Sequence, residues 1–218
     1  MKTREFSEWI ASGWLPELIA TRQERSLRTA MNLLESGRTL LLDRSLEELS
    51  VESVCKHAGA TVGSFYARFD NKHAFFVTLQ RIQSIRSRAV HAAFVARHAG
   101  GDTALEALCE DMVSATVEIF RSNLGVIRAS LQHAGEGMWN MFKADGDRYR
   151  EVLAAGMAPH LRHLTPAQRR LRVLFAFQVV AGTLVHAALN NPGPLSVDDK
   201  ALVPELVRVV KSYLEAAA

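Results

Sequence analysis

The sequence predicts an all-α protein, and three observations favour this fold class. Runs of alternating apolar and polar residues, which are typical of strands, do not reach a useful length. Apolar residues recur instead at helical spacing, with capping residues where helices would begin. Glycine and proline together make up only 19 of the 218 residues, which suits a mostly helical chain. A chain of this length holds one large domain or two small ones.

The composition is that of an average soluble globular protein, with 48% apolar and 22% charged residues. It excludes a disordered, a collagen-like or a disulfide-stapled chain. The formal net charge of +3 permits a polyanionic partner without requiring one. Residues 1–90 hold 13 Lys and Arg against 10 Asp and Glu, and residues 91–218 hold 13 against 13. The whole positive surplus therefore lies in the N-terminal part.

The two cysteines, Cys55 and Cys109, form no Cys-x-x-Cys pair and predict neither a zinc site nor a redox motif. Two thiols fit the reducing cytoplasm, where we expect the protein, and Cys55 is interpreted as a small core residue rather than a redox switch. The first residues lack a signal-peptide pattern. Val173–Leu189 is a run of 17 residues without a charge, shorter than the roughly 20 that a membrane span needs. We interpret it as a helix buried on most sides and expect no membrane partner.

Residues 1–28 differ from the rest of the chain. They contain two tryptophans and a series of apolar residues, interrupted at Gly13 and Pro16. One interpretation is an amphipathic extra helix that packs on the body of the protein. The other is an arm that contacts a partner.

The N-terminal half contains four further helices by periodicity and capping. Leu33, Leu34, Leu40 and Leu41 form the apolar stripe of the first. Ser50 and Thr61 are N-caps of two short helices, Gly59 ends the first of these, and Asp70-Asn71 precedes a long one. The predicted helices are 29–44, 51–58, 62–69 and 72–98.

The C-terminal half predicts five more helices, at 103–121, 124–134, 138–162, 165–189 and 196–216. Thr165, Pro166 and Gln168 form a capping box with proline at the first helical position. Ser196 is expected to open the last helix, which Pro204 should kink or restart.

Residues 50–72 carry the most informative pattern. Two short helices joined by a three-residue turn around Gly59 give helix-turn-helix geometry. Phe65 and Phe69, four residues apart, are expected to anchor the second helix to the core, while small residues at its start allow close approach to another surface. A helix presented in this way fits the major groove of DNA.

The run from Ala58 to Phe69, followed by Asn71-Lys72, resembles the TetR-type transcriptional regulators. The resemblance implies a DNA-binding domain of three helices at 29–75 and a C-terminal helical domain at 76–218 that binds a ligand and dimerises. Residues 1–28 would be an extension to this plan.

The resemblance also implies individual roles. Thr61, Tyr66 and Lys72 would contact phosphates, which position the protein without carrying sequence information. Val62, Ser64 and Arg68 would face base edges, and Gly63 would permit close approach of the backbone. Val62 departs from the polar residue that is frequent in the family, so direct base contacts are expected to be few.

Arg22, Arg25 and Arg28 recur every three residues before the first helix of this domain. They form either a solvated helix face or an arm on the DNA backbone or minor groove. Arg28 therefore joins the seven motif residues as a DNA-binding candidate.

In the resembled family, the C-terminal part binds a small molecule and forms the dimer. The helix at 165–190 is too apolar for the surface of a small monomer, and the last helix at 197–216 has an apolar stripe. Pairing both helices with a second copy would give a four-helix interface with two-fold symmetry. An apolar or aromatic effector is expected, because bulky and polar residues mix on apolar helices. The ligand candidates are Met112, Phe120, His133, Met138, Trp139, Phe142, Phe175, Gln178 and His186.

Catalytic patterns are missing from the sequence: it has no Gly-x-Gly-x-x-Gly, Walker, Gly-x-Ser-x-Gly or His-Glu-x-x-His motif. We expect no enzyme, no metal site and no cofactor. The hypothesis that follows is a dimeric, sequence-specific DNA-binding repressor released by a small ligand. The alternative is a protein with the same fold that responds to a protein partner, which the tryptophan-containing extension keeps open.

Overall fold

The computed structural model describes residues 2–19, 23–100, 103–190 and 193–216. Within these ranges the protein has ten α-helices and no strand, which confirms the all-α prediction. The helices are α1 (Thr3–Ala11), α2 (Glu24–Leu40), α3 (Val51–Ala58), α4 (Val62–Tyr66), α5 (Lys72–His98), α6 (Leu105–Ser122), α7 (Leu124–Gln132), α8 (Asn140–Met157), α9 (Pro166–Leu189) and α10 (Leu202–Glu215).

The chain divides into two compact units. The N-terminal unit comprises Met1–Ile85 and Gly125–His133, and the C-terminal unit comprises Arg86–Leu124 and Ala134–Ala218. The division falls inside α5, ten residues beyond the boundary that the sequence predicts. It also assigns α7 to the N-terminal unit, which the order of elements along the chain did not indicate.

α2 begins at Glu24, five residues before the predicted start. The reason is that Leu27 and Ala30 continue the buried stripe of Leu33 and Leu34 toward the N-terminus, so the apolar face has one more turn than predicted. Gly37 lies on the same face. A Cβ there would stand 2.4 Å from Cζ of Phe75, so this glycine allows α2 and α5 to approach closely.

The predicted caps of the two short helices are confirmed. Ser50 Oγ accepts the Ser53 N–H at 3.0 Å, and Gly59 ends α3 with φ of 62°. Thr61 Oγ1 accepts the Ser64 N–H at 3.1 Å at the start of α4. α4 ends at Tyr66, three residues earlier than predicted.

The N-terminal segment packs on the body of its unit, as the first interpretation held. Phe6 and Trp9 are buried on one face of α1, which contacts α2. Leu15 and Leu18 are also buried, whereas Trp14 is 52% exposed.

α7 is fixed to the N-terminal unit by close backbone contact and by hydrogen bonds. A Cβ on Gly125 would stand 2.4 Å from the carbonyl carbon of Leu41. Arg128 donates to the carbonyl oxygens of Leu41 and Leu42 at 2.8 and 2.6 Å, and thereby caps the C-terminal end of α2. In the buried interior, Gln80 Nε2 donates to Ser130 Oγ at 2.8 Å.

In the C-terminal unit, α6, α8, α9 and α10 pack together. The predicted Thr165–Gln168 capping box is present at the start of α9. The last helix starts later than predicted, at Leu202, because Ser196 instead opens a turn in which its N–H and hydroxyl donate to the Asp199 carboxylate. Pro204 then occupies the third helical position, where a missing N–H costs no helical hydrogen bond.

α9 is the one helix in the described part of the chain that is long and apolar enough to cross a membrane. The prediction that it is buried on most sides is wrong for the single chain. It buries one face, which includes Val173, Val180 and Leu184. The opposite face is exposed over the whole length of the helix, and includes Leu171, Phe175, Gln178, Gly182, His186 and Leu189.

Candidate DNA-binding interface and ligand residues

α4 is held on one side by a cluster of phenylalanine rings. Phe65, Phe69 and Phe75 are fully buried, with ring centroids between 5.0 and 5.3 Å apart. The predicted anchoring by Phe65 and Phe69 is therefore confirmed. Val62 and Tyr66 lie on the other side of α4, where they are 39% and 51% exposed. The short helix thus presents one bare face to solvent.

Gly63, the neighbour of Val62 on α4, is exposed as well. The nearest atom to a Cβ built there is Thr61 Oγ1 at 3.9 Å, and the residue has no left-handed backbone conformation. Neither packing within the chain nor backbone geometry requires a glycine here. A requirement for glycine would come from a molecule outside the chain.

Arg68 does not lie on the bare face. Its side chain is buried, and Nε and Nη2 donate to the Ser26 carbonyl and hydroxyl at 3.1 and 2.8 Å. Nη1 donates to the Ser64 carbonyl at 2.5 Å. Burial lowers the pKa of the guanidinium below its usual range. Because its donors are directed to acceptors within the chain, Arg68 does not present them to base edges as the sequence suggested.

Lys72 lies at the first position of α5, where Nζ donates to the Leu46 carbonyl at 2.9 Å. The residue is half-buried. Arg28 is exposed and forms an ion pair with Glu24 at 2.6 Å, one turn earlier on α2. Arg22 lies outside the described residues.

Sequence reasoning missed the partners of Arg68. Ser26 is 42 residues away along the chain, and the N–H of Ile19 donates to the Arg68 carbonyl at 2.8 Å. No local pattern indicates contacts over such separations. The only sequence signal was the unusual N-terminal segment itself.

The nine ligand candidates do not form one cluster. Met112 and Phe120 share the buried face of α6, and Trp139 stacks on Phe142 with centroids 4.8 Å apart. Met138, which precedes this pair, is half-buried. These five residues belong to the C-terminal unit.

His133 belongs to the N-terminal unit, where Nε2 lies 2.8 Å from the Glu47 carboxylate. Phe175, Gln178 and His186 lie on the exposed face of α9. The prediction thus grouped residues of two different units and, on α9, residues of the exposed face. Periodicity alone did not show which face of each helix is covered.

A groove of about 440 Å³ lies between α6 and α10 in the C-terminal unit. Its lining includes the apolar residues Val203, Pro204 and Val207, and also Lys211 and Glu106, which form an ion pair at 2.9 Å. The predicted ligand residues do not line this groove.

The interior of the C-terminal unit contains an unpredicted aromatic and polar group. His91 stacks on Tyr149 with centroids 3.9 Å apart, and Phe94 and Phe177 pack edge-on against the same tyrosine. Burial lowers the pKa of His91 to about 4. The Tyr149 hydroxyl is buried and has no hydrogen-bond partner within the described chain.

Comparisons with known proteins match both parts of the chain. Residues 33–79 match the family model of bacterial regulatory proteins of the TetR family. Residues 104–214 match the model of the tetracyclin repressor-like C-terminal domain. No curated protein matches the sequence.

Solved structures of transcriptional regulators share the fold. A regulator from Aquifex aeolicus VF5 is 15% identical, with 84% of this chain and 98% of that chain covered at a TM-score of 0.62. A TetR-like regulator from Rhodococcus sp. RHA1 is 17% identical, with 90% and 100% covered at 0.63. The regulator FadR from Bacillus subtilis, in complex with stearoyl-CoA, is 13% identical, with 86% and 99% covered at 0.60.

The structural likeness at these identities concerns the fold alone, whereas the two family models cover most of the sequence. The capped α3–turn–α4 arrangement with its bare outer face lies within the N-terminal match. The chain therefore belongs to the TetR family of DNA-binding transcriptional regulators.

Proposed function

We propose that this protein is a homodimeric repressor that contacts its operator through α4 and leaves it when an apolar or aromatic effector binds. The observation that supports DNA binding is the exposed surface of α4, which bears Val62, Tyr66 and a glycine, Gly63, that neither packing nor backbone geometry of the chain requires. Members of the family are in general transcription factors without catalytic activity, and we propose no reaction for this chain.

On this face, Val62 and Ser64 are proposed to approach base edges. Val62 is suited to the methyl group of thymine, since it has no hydrogen-bonding group. Thr61, Tyr66 and Lys72 are proposed to contact phosphates on either side. Gly63 would let the sugar-phosphate backbone approach α4. We remove Arg68 from the base-contacting set because its donors are engaged within the chain.

The exposed face of α9 supports the dimer. Leu171 and Phe175 are 65% and 44% exposed, and Val209 of α10 is exposed as well. Large apolar side chains exposed on two helices that pack together indicate a candidate interface. A second copy that covers the same face would complete a two-fold, four-helix interface. We propose that Phe175, Gln178 and His186 serve this interface rather than a ligand pocket.

An effector site in the C-terminal unit is supported by its apolar interior. Met112 and Phe120 are buried on α6, and the Trp139–Phe142 stack is partly exposed at the start of α8. Bacillus subtilis FadR, a structure of the same fold, holds stearoyl-CoA. We therefore propose a ligand with a large apolar part for this chain.

Release from DNA would require a ligand that binds one arrangement of the dimer more tightly than the other. α7 is suited to connect the two functions. It is held in the N-terminal unit through Gly125 and Arg128, while the chain on both sides of it belongs to the C-terminal unit. We propose that effector binding shifts the population of dimers whose α4 helices match two half-sites.

A cytoplasmic location accompanies the proposed DNA partner. The apolar face of α9 is assigned to the dimer, so no membrane contact is required to cover it. A protein partner in place of a small ligand has less support, because Phe6 and Trp9 of the extension are buried within the protein and are not free to bind a partner.

The DNA proposal is tested by binding of the full chain to a duplex selected from a randomised library. Tyr66→Ala and Lys72→Ala should each weaken binding about tenfold, because each removes one charge-assisted or hydroxyl contact to phosphate. The slope of log affinity against log salt should fall by about 0.9 for Lys72→Ala. Lys143→Ala, an exposed lysine of the C-terminal unit, is the matched control and should change neither quantity. Unchanged binding by both motif variants would contradict the proposal.

The effector proposal is tested with stearoyl-CoA as a probe with a long apolar chain and with free CoA as its control. Addition of the acyl compound should release the protein from the selected duplex, whereas CoA alone should not. Aromatic carboxylic acids form a second set of probes. Failure of both sets to change DNA binding would count against an apolar effector.

A further inference from the structure

A segment that lies before the region matched by the DNA-binding family model is hydrogen-bonded to Arg68, just beyond the C-terminal end of α4. We call this segment, residues 12–19, the N-terminal tether. The buried side chains of Leu15 and Leu18 fix it to the N-terminal unit. The N–H of Ile19 then donates to the Arg68 carbonyl at 2.8 Å, two residues beyond α4.

The tether has a second anchor on α5. The Glu17 carboxylate accepts a hydrogen bond from Arg81 Nε at 2.6 Å, and both side chains are at least half-buried. Partial burial strengthens such a pair relative to one at the open surface. The tether is therefore bound both to α5, through Arg81, and to Arg68 just beyond α4.

Arg68 is held from both of its ends by residues that precede the family-matched region at 33–79. Ile19 binds its backbone carbonyl, and Ser26 accepts from its guanidinium with both the carbonyl and the hydroxyl. α4 itself has only five residues, and a helix of this length does not keep its own geometry in water. The orientation of α4 therefore depends on its contacts with the rest of the N-terminal unit.

We propose that the N-terminal tether positions α4 for operator recognition, with Glu17, Ser26 and Arg68 as positioning residues that do not contact DNA. The phenylalanine cluster holds the inner side of α4. The tether and Ser26 hold Arg68, two residues beyond the C-terminal end of α4. This inference rests on the proposed assignment of α4 as the base-contacting element. Tyr66→Ala tests that assignment separately. Failure of the α4 assignment can therefore be distinguished from failure of the positioning role proposed for the tether.

The test compares Ile19→Pro with Ile19→Ala in the full chain. Proline removes the N–H that binds the Arg68 carbonyl, whereas alanine keeps it and removes only a partly exposed side chain. Affinity is measured for the selected duplex and for poly(dI-dC), together with the melting temperature of each variant. Ile19→Pro should lower affinity for the selected duplex about 3- to 10-fold, and Ile19→Ala less than about 2-fold.

The ratio of specific to non-specific affinity separates positioning from a merely structural role. Non-specific binding depends on phosphate contacts, so it and the salt slope should stay at the wild-type level when only the orientation of α4 changes. Equal loss on both DNAs, or an Ile19→Pro variant that equals Ile19→Ala, would overturn the proposal. If the proline variant does not fold, Glu17→Gln provides the test of the proposal. It should lower specific affinity about 2- to 4-fold with unchanged non-specific affinity, and an unchanged ratio would overturn the proposal.

Discussion

At the scale of single residues, Gly37 is required by the ring of Phe75. A Cβ at residue 37 would stand 2.4 Å from Cζ and 2.6 Å from Cε1 of that ring. The ring has little room to move, because it packs against Phe65 and Phe69. Gly37→Ala should lower the free energy of unfolding by about 1–2 kcal/mol, since overpacking outweighs the better helix propensity of alanine. Urea unfolding monitored by circular dichroism measures the change.

Gly156 provides the matched control for this prediction. It too lies within a helix, α8, but is exposed, and a Cβ there would meet no atom within 4 Å. Gly156→Ala should stabilise the protein by about 0.5–1 kcal/mol through helix propensity alone. A Gly37 variant that gains stability as Gly156→Ala does would contradict the close approach of α2 and α5.

His91 predicts a pH dependence of stability. Burial against Tyr149 lowers its pKa from 6.5 to about 4, which nearby Arg148 reinforces and Asp145 opposes. The folded state therefore binds fewer protons than the unfolded state between these values, and stability is lost as the pH falls from about 6.5 to 4. Because the ring is partly exposed, we expect a contribution of about 1–2 kcal/mol.

His91→Phe keeps an aromatic ring beside Tyr149 and removes the titration. Its melting temperature should fall less than that of the wild type between pH 7 and pH 4.5, in differential scanning fluorimetry. His163→Gln, at an exposed position, should retain the wild-type pH dependence. Parallel curves for His91→Phe and the wild type would show that His91 does not carry this linkage.

At the scale of elements, α7 is fixed to the end of α2 by a backbone contact that leaves no room for a side chain. A Cβ on Gly125 would stand 2.4 Å from both the carbonyl carbon and the oxygen of Leu41. Gly125→Ala should displace α7 and lengthen the hydrogen bonds from Arg128, at a cost of about 2–3 kcal/mol. Amide hydrogen exchange should then rise in α7 and in the last turn of α2.

Gly146→Ala is the control for this element. The nearest atom to its Cβ is the end of the flexible Arg150 side chain at 3.4 Å, which can move aside. Exchange in α7 should stay at the wild-type level in that variant. Unchanged exchange in Gly125→Ala would mean that α7 is not held by this contact.

The helix bounds also show which parts of the fold could be predicted from the sequence alone. Capping fixed the bounds of α3 and the start of α9, because a cap is a local interaction between residues three apart. The start of α10 was missed, since Ser196 bonds to Asp199 in a turn that uses the same residue types as a helix cap.

The candidate site, too, could be predicted only where local spacing along the chain determines it. The bare side of α4 follows from the spacing of Phe65 and Phe69, and the structure places Val62 and Tyr66 there. Arg68 could not be assigned from sequence, because its partner Ser26 lies 42 residues away. The position of α7 in the N-terminal unit was missed for the same reason.

At the scale of the whole molecule, the proposed dimer gives a direct test of the exposed face of α9. Leu171→Glu combined with Phe175→Glu places two charges where a second copy would bury apolar side chains, and desolvation of unpaired charges is costly. The double variant should sediment as a monomer. Val95→Glu is the control, because Val95 is exposed to the same degree as Phe175 but lies on α5.

Loss of the dimer should also change DNA binding in a particular way. A dimer that engages two half-sites gains affinity from the second contact, so the monomeric variant should bind the full selected duplex at least about 100-fold more weakly. Its affinity for an isolated half-site should match that of the wild type, since α4 is unaltered. If the variant sediments as a dimer, the face of α9 is not the interface. If it is monomeric and keeps full affinity for the selected duplex, the proposal that a dimer engages two half-sites is wrong.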